Sequence, residues 1–466
     1  MIDRTRRLAE AMRHRLGMDR AVAYSFAAKL CMIIGSTGTV LLIVRFLSKA
    51  QQGYYYTLLS LISLQIVFEL GFSFVILQLA AHEAVHLRFH RDGRVEGQPL
   101  PLARLVAIFR KTVRWYVLIG FFMLCTLLAA GVVFFHQTAP HQSAVWLGPW
   151  IAAVVMTVIL FVLNPFASFL EGCGQVRQVA GMRFFQALAA LVLAWGAMLL
   201  GKGLYSPAAV SACCSLVALA FLFSRRKLFR HLLRYTSVPD VLSWRTEVWS
   251  FQWKIAVTWL CSYFTVSVLT PILFASRGPV EAGRLGMSLS IATYTWNLVF
   301  VWMSTKAAPF GKFVAAKDFA ALDQLFFRTL YVCLSVVGVS VAGCLIGIIS
   351  IQWLFPGLAG RMVSPWMFAL LLLGAVGNLI VQSEAIYLRA HKEEPLLWQA
   401  VIVAVLTSGG AYFAAPRWGI TGTCIIYFIC TGVVGTVSAT AIFRARRRSR
   451  DLQESFSATL SMENVS

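Results

Sequence analysis

The sequence predicts an all-α polytopic membrane protein, with twelve transmembrane helices in two six-helix lobes around a central cleft. Three observations predict it. The 466 residues are 59% hydrophobic and only 13% charged, with a mean hydropathy of +0.74. Twelve apolar stretches approach or exceed the ~20 residues that a helix needs to cross a bilayer core. Basic residues gather on one side of those stretches.

The first six spans fall at 21–44, 54–79, 115–135, 145–170, 179–200 and 207–223. The second six fall at 255–275, 285–303, 329–351, 366–388, 396–415 and 419–443. Residues 1–20 hold six Arg and no apolar core, so they do not read as a cleavable signal peptide, and the first span stays in the protein. The expected organisation is an N-terminal lobe over 1–224 and a cytoplasmic interfacial connector over 225–254. A C-terminal lobe over 255–443 and a basic cytoplasmic tail over 444–466 complete it.

Charge sets the orientation. Of 41 Lys and Arg, 33 lie in segments on the side of the N-terminus. Only Arg45, Lys49, Lys202, Arg277, Arg284, Arg361 and Arg417 lie on the other side, and Lys29 lies within the first span. That bias places both termini in the cytoplasm. The net charge of +22 is therefore topology and contact with anionic membrane lipid rather than a nucleic-acid surface. The ten Cys sit in or at the ends of spans and read as small packing residues, not a disulfide framework.

The longest connections are internal, at 80–114, 224–254 and 304–328. Within the middle one, Arg226, Arg230 and Arg234 recur opposite Leu228, Phe229, Leu232 and Leu233, which predicts a basic amphipathic helix in the membrane interface. Trp249 and Trp253 follow at helical spacing. A similar segment opposes Phe310, Phe313, Leu322 and Phe326 to Lys312, Lys317 and Asp318. The halves share a faint repeat: with an offset of 230, Gly53 pairs with Gly283 and Ser60 with Ser290, the pattern of transporters built from repeated halves.

Several local runs carry a resemblance. The first span ends Leu42-Ile43-Val44-Arg45-Phe46-Leu47, and Gly53-Tyr54-Tyr55 opens the second. The second continues Phe68-Glu69-Leu70-Gly71-Phe72, and the fourth exits through Glu171-Gly172-Cys173-Gly174-Gln175. In these runs the chain resembles the polysaccharide flippases, the O-antigen and exopolysaccharide translocases of the MATE/lipid-flippase (MOP) superfamily. Glu69 stands where that family usually has Asp. The tenth span ends Tyr387-Leu388-Arg389-Ala390-His391 rather than in the family's Gly-containing turn. The resemblance implies a V-shaped, two-lobe fold and translocation of an undecaprenyl-diphosphate-linked oligosaccharide across the bacterial inner membrane. It further implies a polysaccharide polymerase and glycosyltransferases as working partners.

Ionisable groups inside spans are few: Lys29, Glu69, Arg183 and Glu384. Each would cost roughly 2.5–3.5 kcal/mol or more facing lipid at the bilayer centre. Lys29 and Glu69 lie roughly 12 and 15 Å from the inner ends of antiparallel spans at 1.5 Å per residue, matched depths for an ion pair. One reading is a structural bridge. The sharper reading is that Lys29 binds the substrate diphosphate as a fixed cation, with Glu69 as its exchangeable partner. Glu384 is either a coupling-ion switch or a carboxylate reaching toward Arg389. Arg45, Lys254, Arg277, Arg284 and Lys306 are further anion contacts at the mouths, with topology as their plain alternative. Asn164 and Asn297 are candidates for hydrogen bonds to sugar, and Asn378 is a similar amide; all three suit helix–helix contacts equally.

One motif points elsewhere. His82-Glu83-Ala84-Val85-His86 has the H-E-x-x-H spacing, which on one helix aims two imidazoles at a zinc ion. No Asp-bearing partner motif occurs in a later span, and Arg88-Phe89-His90-Arg91 reads as a basic surface stretch. A membrane-embedded metalloprotease is thus the weaker alternative, and no cofactor is expected. Sugar-handling membrane enzymes need a sizeable outer loop with charged catalytic groups, whereas 136–144 holds no Asp, Glu, Lys or Arg. Transport is therefore expected rather than catalysis, with a cation-coupled exporter of small amphiphiles or drugs as the alternative cargo class.

Overall fold

Hydrophobic segments of this length leave the backbone one stable state in a bilayer, the helix that bonds its own N–H and C=O groups. The computed structural model, which describes residues 35–36, 38–90, 94–235, 250–354, 360–391 and 394–463, is accordingly built of helices. It forms two compact units, Met1–Trp259 and Leu260–Ser466. Eight helices are long and apolar enough to cross a membrane.

In the first unit, residues 38–46 are helical and lead into α1 (Lys49–Ile62). A capping box starts α1: the Ser48 hydroxyl accepts from the Gln51 N–H, and the Gln51 side chain accepts from the Ser48 N–H. A 3₁₀ turn at Ser63–Gln65 leads into α2 (Ile66–Glu69), and α3 (Phe72–Ala84) follows. Strands β1 (Leu87–Phe89) and β2 (Val95–Gly97) pair antiparallel. Four long helices then follow: α4 (Pro99–Thr138), α5 (Ser143–Gly172), α6 (Val176–Leu199) and α7 (Ser206–Ser224). The short α8 (Arg226–Arg234) closes the unit's described part, apart from the start of α9.

The segment expected as a loop over 80–114 is instead the end of α3, a small hairpin and the first turns of α4, which runs 40 residues. Continued backbone bonding explains the extension, because Pro99 at the helix start costs no hydrogen bond there. The predicted amphipathic helix is α8. Leu228 and Leu232 are buried, Phe229 stacks on Phe109 of α4 at 5.4 Å, and Arg110 donates to the Leu233 and Tyr235 carbonyls at 2.6 Å each.

In the second unit, α9 (Ser250–Ser262) passes through a π turn at Tyr263–Ser267 into α10 (Leu269–Arg277). Next come α11 (Pro279–Ser304), α12 (Ala307–Ala315), α13 (Phe319–Leu354) and α14 (Pro365–Ala390). α15 (Leu397–Tyr427) is two helices that turn back on each other at Gly419, with Ile426 against Gly410 and Gly422 against Ala414, and a π segment (Phe428–Gly435) leads into α16 (Thr436–Glu463). Phe310, Leu322 and Phe326 of the predicted amphipathic segment are fully buried, with Asp318 accepting from the Ala321 N–H to start α13. Two apolar clusters hold the unit: Leu269, Leu285, Phe368, Leu371 and Tyr427 in one, Phe310, Phe326, Leu379, Tyr387 and Phe443 in the other.

The helix surfaces are apolar as well. Val339 and Trp353 of α13 and Tyr412 and Phe413 of α15 are exposed, a surface suited to lipid rather than water. Trp353, Trp366, Trp398 and Trp418 are all exposed and all lie at helix ends or at the Gly419 turn, the position of an interfacial aromatic belt.

Where α5 crosses α3, Gly172 has no room for a side chain. A Cβ there would lie 2.5 Å from the Leu77 carbonyl oxygen and 2.8 Å from the Ala80 Cβ. Gly172→Val should therefore destabilise the first unit by about 1–3 kcal/mol through overpacking. Thermal unfolding of the purified variant checks this.

Candidate functional site

The helical run from Lys49 to Glu69 ends in a break. Leu70 (φ 48°) and Gly71 (φ 71°) both take the left-handed conformation, and α3 restarts at Phe72. Gly71 adopts this freely, whereas Leu70 is strained by roughly 1–2 kcal/mol. Glu69 is the last residue before the break and is half-buried. The Ser73 side chain faces its carboxylate, and the Ser73 hydroxyl lies 3.4 Å from the phenol oxygen of the buried Tyr116 on α4. A carboxylate, a hydroxyl and a phenol meet here beside the helix break. Such a set can hold a small cation or a proton. Lys29, the expected partner of Glu69, lies outside the described residues.

Glu384 is the second acidic group inside a span, and it is 3% exposed. Its Oε1 accepts from the Thr440 hydroxyl of α16 at 2.8 Å. Its Oε2 is buried with no hydrogen-bond partner among the described residues. Arg444, one turn beyond Thr440, attracts it electrostatically. Arg389 does not serve Glu384: its Nε lies 3.3 Å from Glu394 instead. The π segment before α16 re-aims the side chains that follow it. It also leaves the Gly435 carbonyl free to accept from Gln399 Nε2 at 2.9 Å.

The mouth residues divide. Arg277 donates from Nε to the Ala415 carbonyl (3.2 Å) and from Nη2 to those of Pro416 and Arg417 (2.8 and 3.0 Å). Arg284 donates from Nε to the Gly360 carbonyl at 2.8 Å. Both guanidinium groups are thus engaged with the backbone. Arg45 is exposed and Lys306 half-exposed just before α12. Lys254 belongs to α9, but its side chain lies outside the described residues. Asn164 is exposed on α5, Asn297 is exposed on α11 and donates to the Thr293 carbonyl at 3.0 Å, and Asn378 donates to the Tyr427 hydroxyl at 3.2 Å as a helix–helix contact. Arg183 forms an ion pair with Glu171 at 2.8 Å.

The weaker zinc alternative at His82, Glu83 and His86 needs one helix through the motif, which the backbone does not supply. α3 ends at Ala84, so His82 and His86 do not share a helical face. Glu83 is 5% exposed and bound by Arg104 at 3.0 Å. No group of three potential ligands forms among the described residues.

Sequence reasoning missed Ser73, Tyr116 and Thr440, whose neutral side chains stand out only once helices are paired. It also missed Asp323, which bonds both Arg447 (2.6 Å) and the Tyr387 hydroxyl (2.7 Å) near the start of α13.

No family model matches the chain, and no curated protein matches it. Solved structures do. An inward-facing multidrug resistance MATE family transporter of the MOP superfamily aligns with a TM-score of 0.59 at 14% identity, covering 88% of this chain and 98% of that one. An outward-facing one aligns with 0.57 at 15% identity, covering 92% and 96%. A MOP superfamily transporter from Pyrococcus furiosus, described as having a binding pocket of reverse polarity, aligns with 0.53 at 15% identity, covering 91% and 96%. The chain therefore shares its multi-pass helical fold with these MATE-type transporters.

The Glu384–Thr440 contact has a measurable consequence. Thr440→Val leaves the carboxylate with no partner and should cost about 1–3 kcal/mol. Glu384→Gln should remove most of that cost in the double variant, a coupling that a double-mutant cycle on unfolding reads directly.

Proposed function

We propose that the chain translocates an undecaprenyl-diphosphate-linked oligosaccharide across the bacterial inner membrane by alternating access, for assembly of a surface polysaccharide such as O-antigen or exopolysaccharide. The observation that carries this reading is the state of the carboxylates. Glu171 is held by Arg183, Asp323 by Arg447 and Tyr387, and Glu384 by Thr440. Glu281 accepts from the Ile420 N–H. An exporter of organic cations needs uncommitted carboxylates at membrane depth, and among the described residues only Glu69 is left with neutral neighbours. Cations are plentiful by contrast, and a diphosphate entering a low-dielectric site needs them.

In this reading Lys29 is the principal diphosphate contact, and Arg45, Lys254 and Lys306 guide the headgroup. Arg277 and Arg284 add only the donors their carbonyl contacts leave free. Asn164 and Asn297, exposed within spans, suit sugar hydroxyls. Glu69 is the exchangeable site for a proton or sodium ion, whereas Glu384, bound by Thr440, joins two helices. The Pyrococcus furiosus transporter supports the possibility of a reversed polarity on this fold. The cytoplasmic placement of both termini follows from the basic bias alone.

A second reading rests on the multidrug resistance transporters among the structural matches: export of small cationic amphiphiles with ion coupling. Deletion of the gene separates the two. The expected outcome is loss of surface polysaccharide and accumulation of lipid-linked repeat units on the cytoplasmic leaflet, restored by the wild-type chain but not by Lys29→Ala. Normal polysaccharide with raised sensitivity to cationic drugs would establish the exporter instead.

A further inference from the structure

Between α6 and α7 runs an open groove of about 750 Å³. One wall is Gly181, Met182 and Phe185, the other Val217, Ala220 and Phe221, so its length is apolar. One end is basic. Arg177 and Gln178, in the first turn of α6, line that end, and Arg225 follows the last turn of α7.

These cations are not neutralised within the fold. The nearby carboxylate in the sequence, Glu171, is already paired with Arg183. No described residue pairs with the exposed Arg177 guanidinium. Arg225 lies over the Phe221 ring at 5.7 Å, and its Nε is buried without a hydrogen-bond partner among the described residues. Beyond it, α8 adds Arg226, Lys227 and Arg230, all exposed, and has no acidic residue. Arginine's planar donor set fits phosphate oxygens bidentately, and a basic rim over an apolar groove matches an anionic amphiphile end for end.

We infer that this groove is a binding site for one anionic phospholipid. Its phosphate is held by Arg177 and Arg225, and an acyl chain lies along Gly181, Phe185 and Ala220. The lipid would brace α8, which is otherwise pinned to α4 by Phe229 and Arg110. This site is independent of the transported cargo.

The test is native mass spectrometry of the full chain in detergent with phosphatidylglycerol or phosphatidylcholine added. Wild type should retain one phosphatidylglycerol in preference to phosphatidylcholine. Arg177→Gln with Arg225→Gln should weaken that retention about tenfold or more. Ala220→Leu, which narrows the groove without touching charge, should weaken it as well. Arg177 and Ala220 are exposed, so neither change strips packing from the fold. Lys202→Gln, on the opposite side by charge, should leave retention unchanged. Equal retention of the two lipids, or no loss in either groove variant, overturns the site. Preferential retention of undecaprenyl phosphate over phosphatidylglycerol also overturns it, because the groove would then serve the cargo's tail.

Discussion

A bilayer offers no water to an unpaired backbone group, so every interruption of a spanning helix must be matched by partners from elsewhere in the fold. The turn at Gly419 (φ 57°, ψ −142°), between the spans expected at 396–415 and 419–443, shows such partners supplied at a helix junction. Arg277 caps the carbonyls of Ala415, Pro416 and Arg417, and Glu281 accepts from the Ile420 N–H on the other side of the break. A cation thus meets the C-terminal end of one helix and an anion the N-terminal start of the next, the arrangement that the helix dipole favours. Both side chains flank the α10–α11 junction at Gly278. That geometry makes Arg277 first a structural clamp, whatever it later offers an anion.

The break at Leu70–Gly71 is capped differently. Glu69 is a negative group at the C-terminal edge of a helical run, where the carbonyls already concentrate negative potential. Ser73 and Tyr116 are neutral and relieve this only in part. Among the described residues the neighbours of Glu69 are thus neutral, and a proton, a sodium ion or a side-chain cation would suit the position. Exchange among such species is how an ion gradient or a charged substrate biases a two-state transporter. The committed carboxylates, by contrast, behave as mortar. Asp323 links α13 to α14 and α16, and Glu384 links α14 to α16.

Much of the fold was legible because lipid imposes a coarse rule on sequence. Span length and apolarity mark the long helices, and the 3.6-residue rhythm of Arg226, Arg230 and Arg234 against Leu228 and Leu232 gave α8 without ambiguity. Gly172, read as part of a Gly-rich exit, proves to be the contact point of two helices. The hairpin at Leu87–Gly97 was invisible because its strands are three residues each, too short for alternation to register. The H-E-x-x-H spacing carried little weight for a related reason: it assumes an uninterrupted helix, and α3 ends inside the motif. Partners of the buried acids were beyond reach from sequence, since Thr440 lies 56 positions from Glu384 and Tyr116 43 from Ser73.

The faint repeat acquires a sharper meaning from the helix starts. α1 begins at Lys49 and α11 at Pro279, the same offset of 230 that relates Gly53 to Gly283. Carried forward, that offset places Leu70 and Gly71 opposite Phe300 and Val301, which lie within the unbroken α11. Glu69 falls opposite the buried Val299. The two segments thus share a helix start at that offset and then differ: one continues as an unbroken helix, and the other breaks beside a carboxylate. A left-handed leucine in a membrane span costs stability that an uninterrupted helix avoids, as α11 demonstrates at the equivalent position. Packing alone does not require the break, which α11 does without.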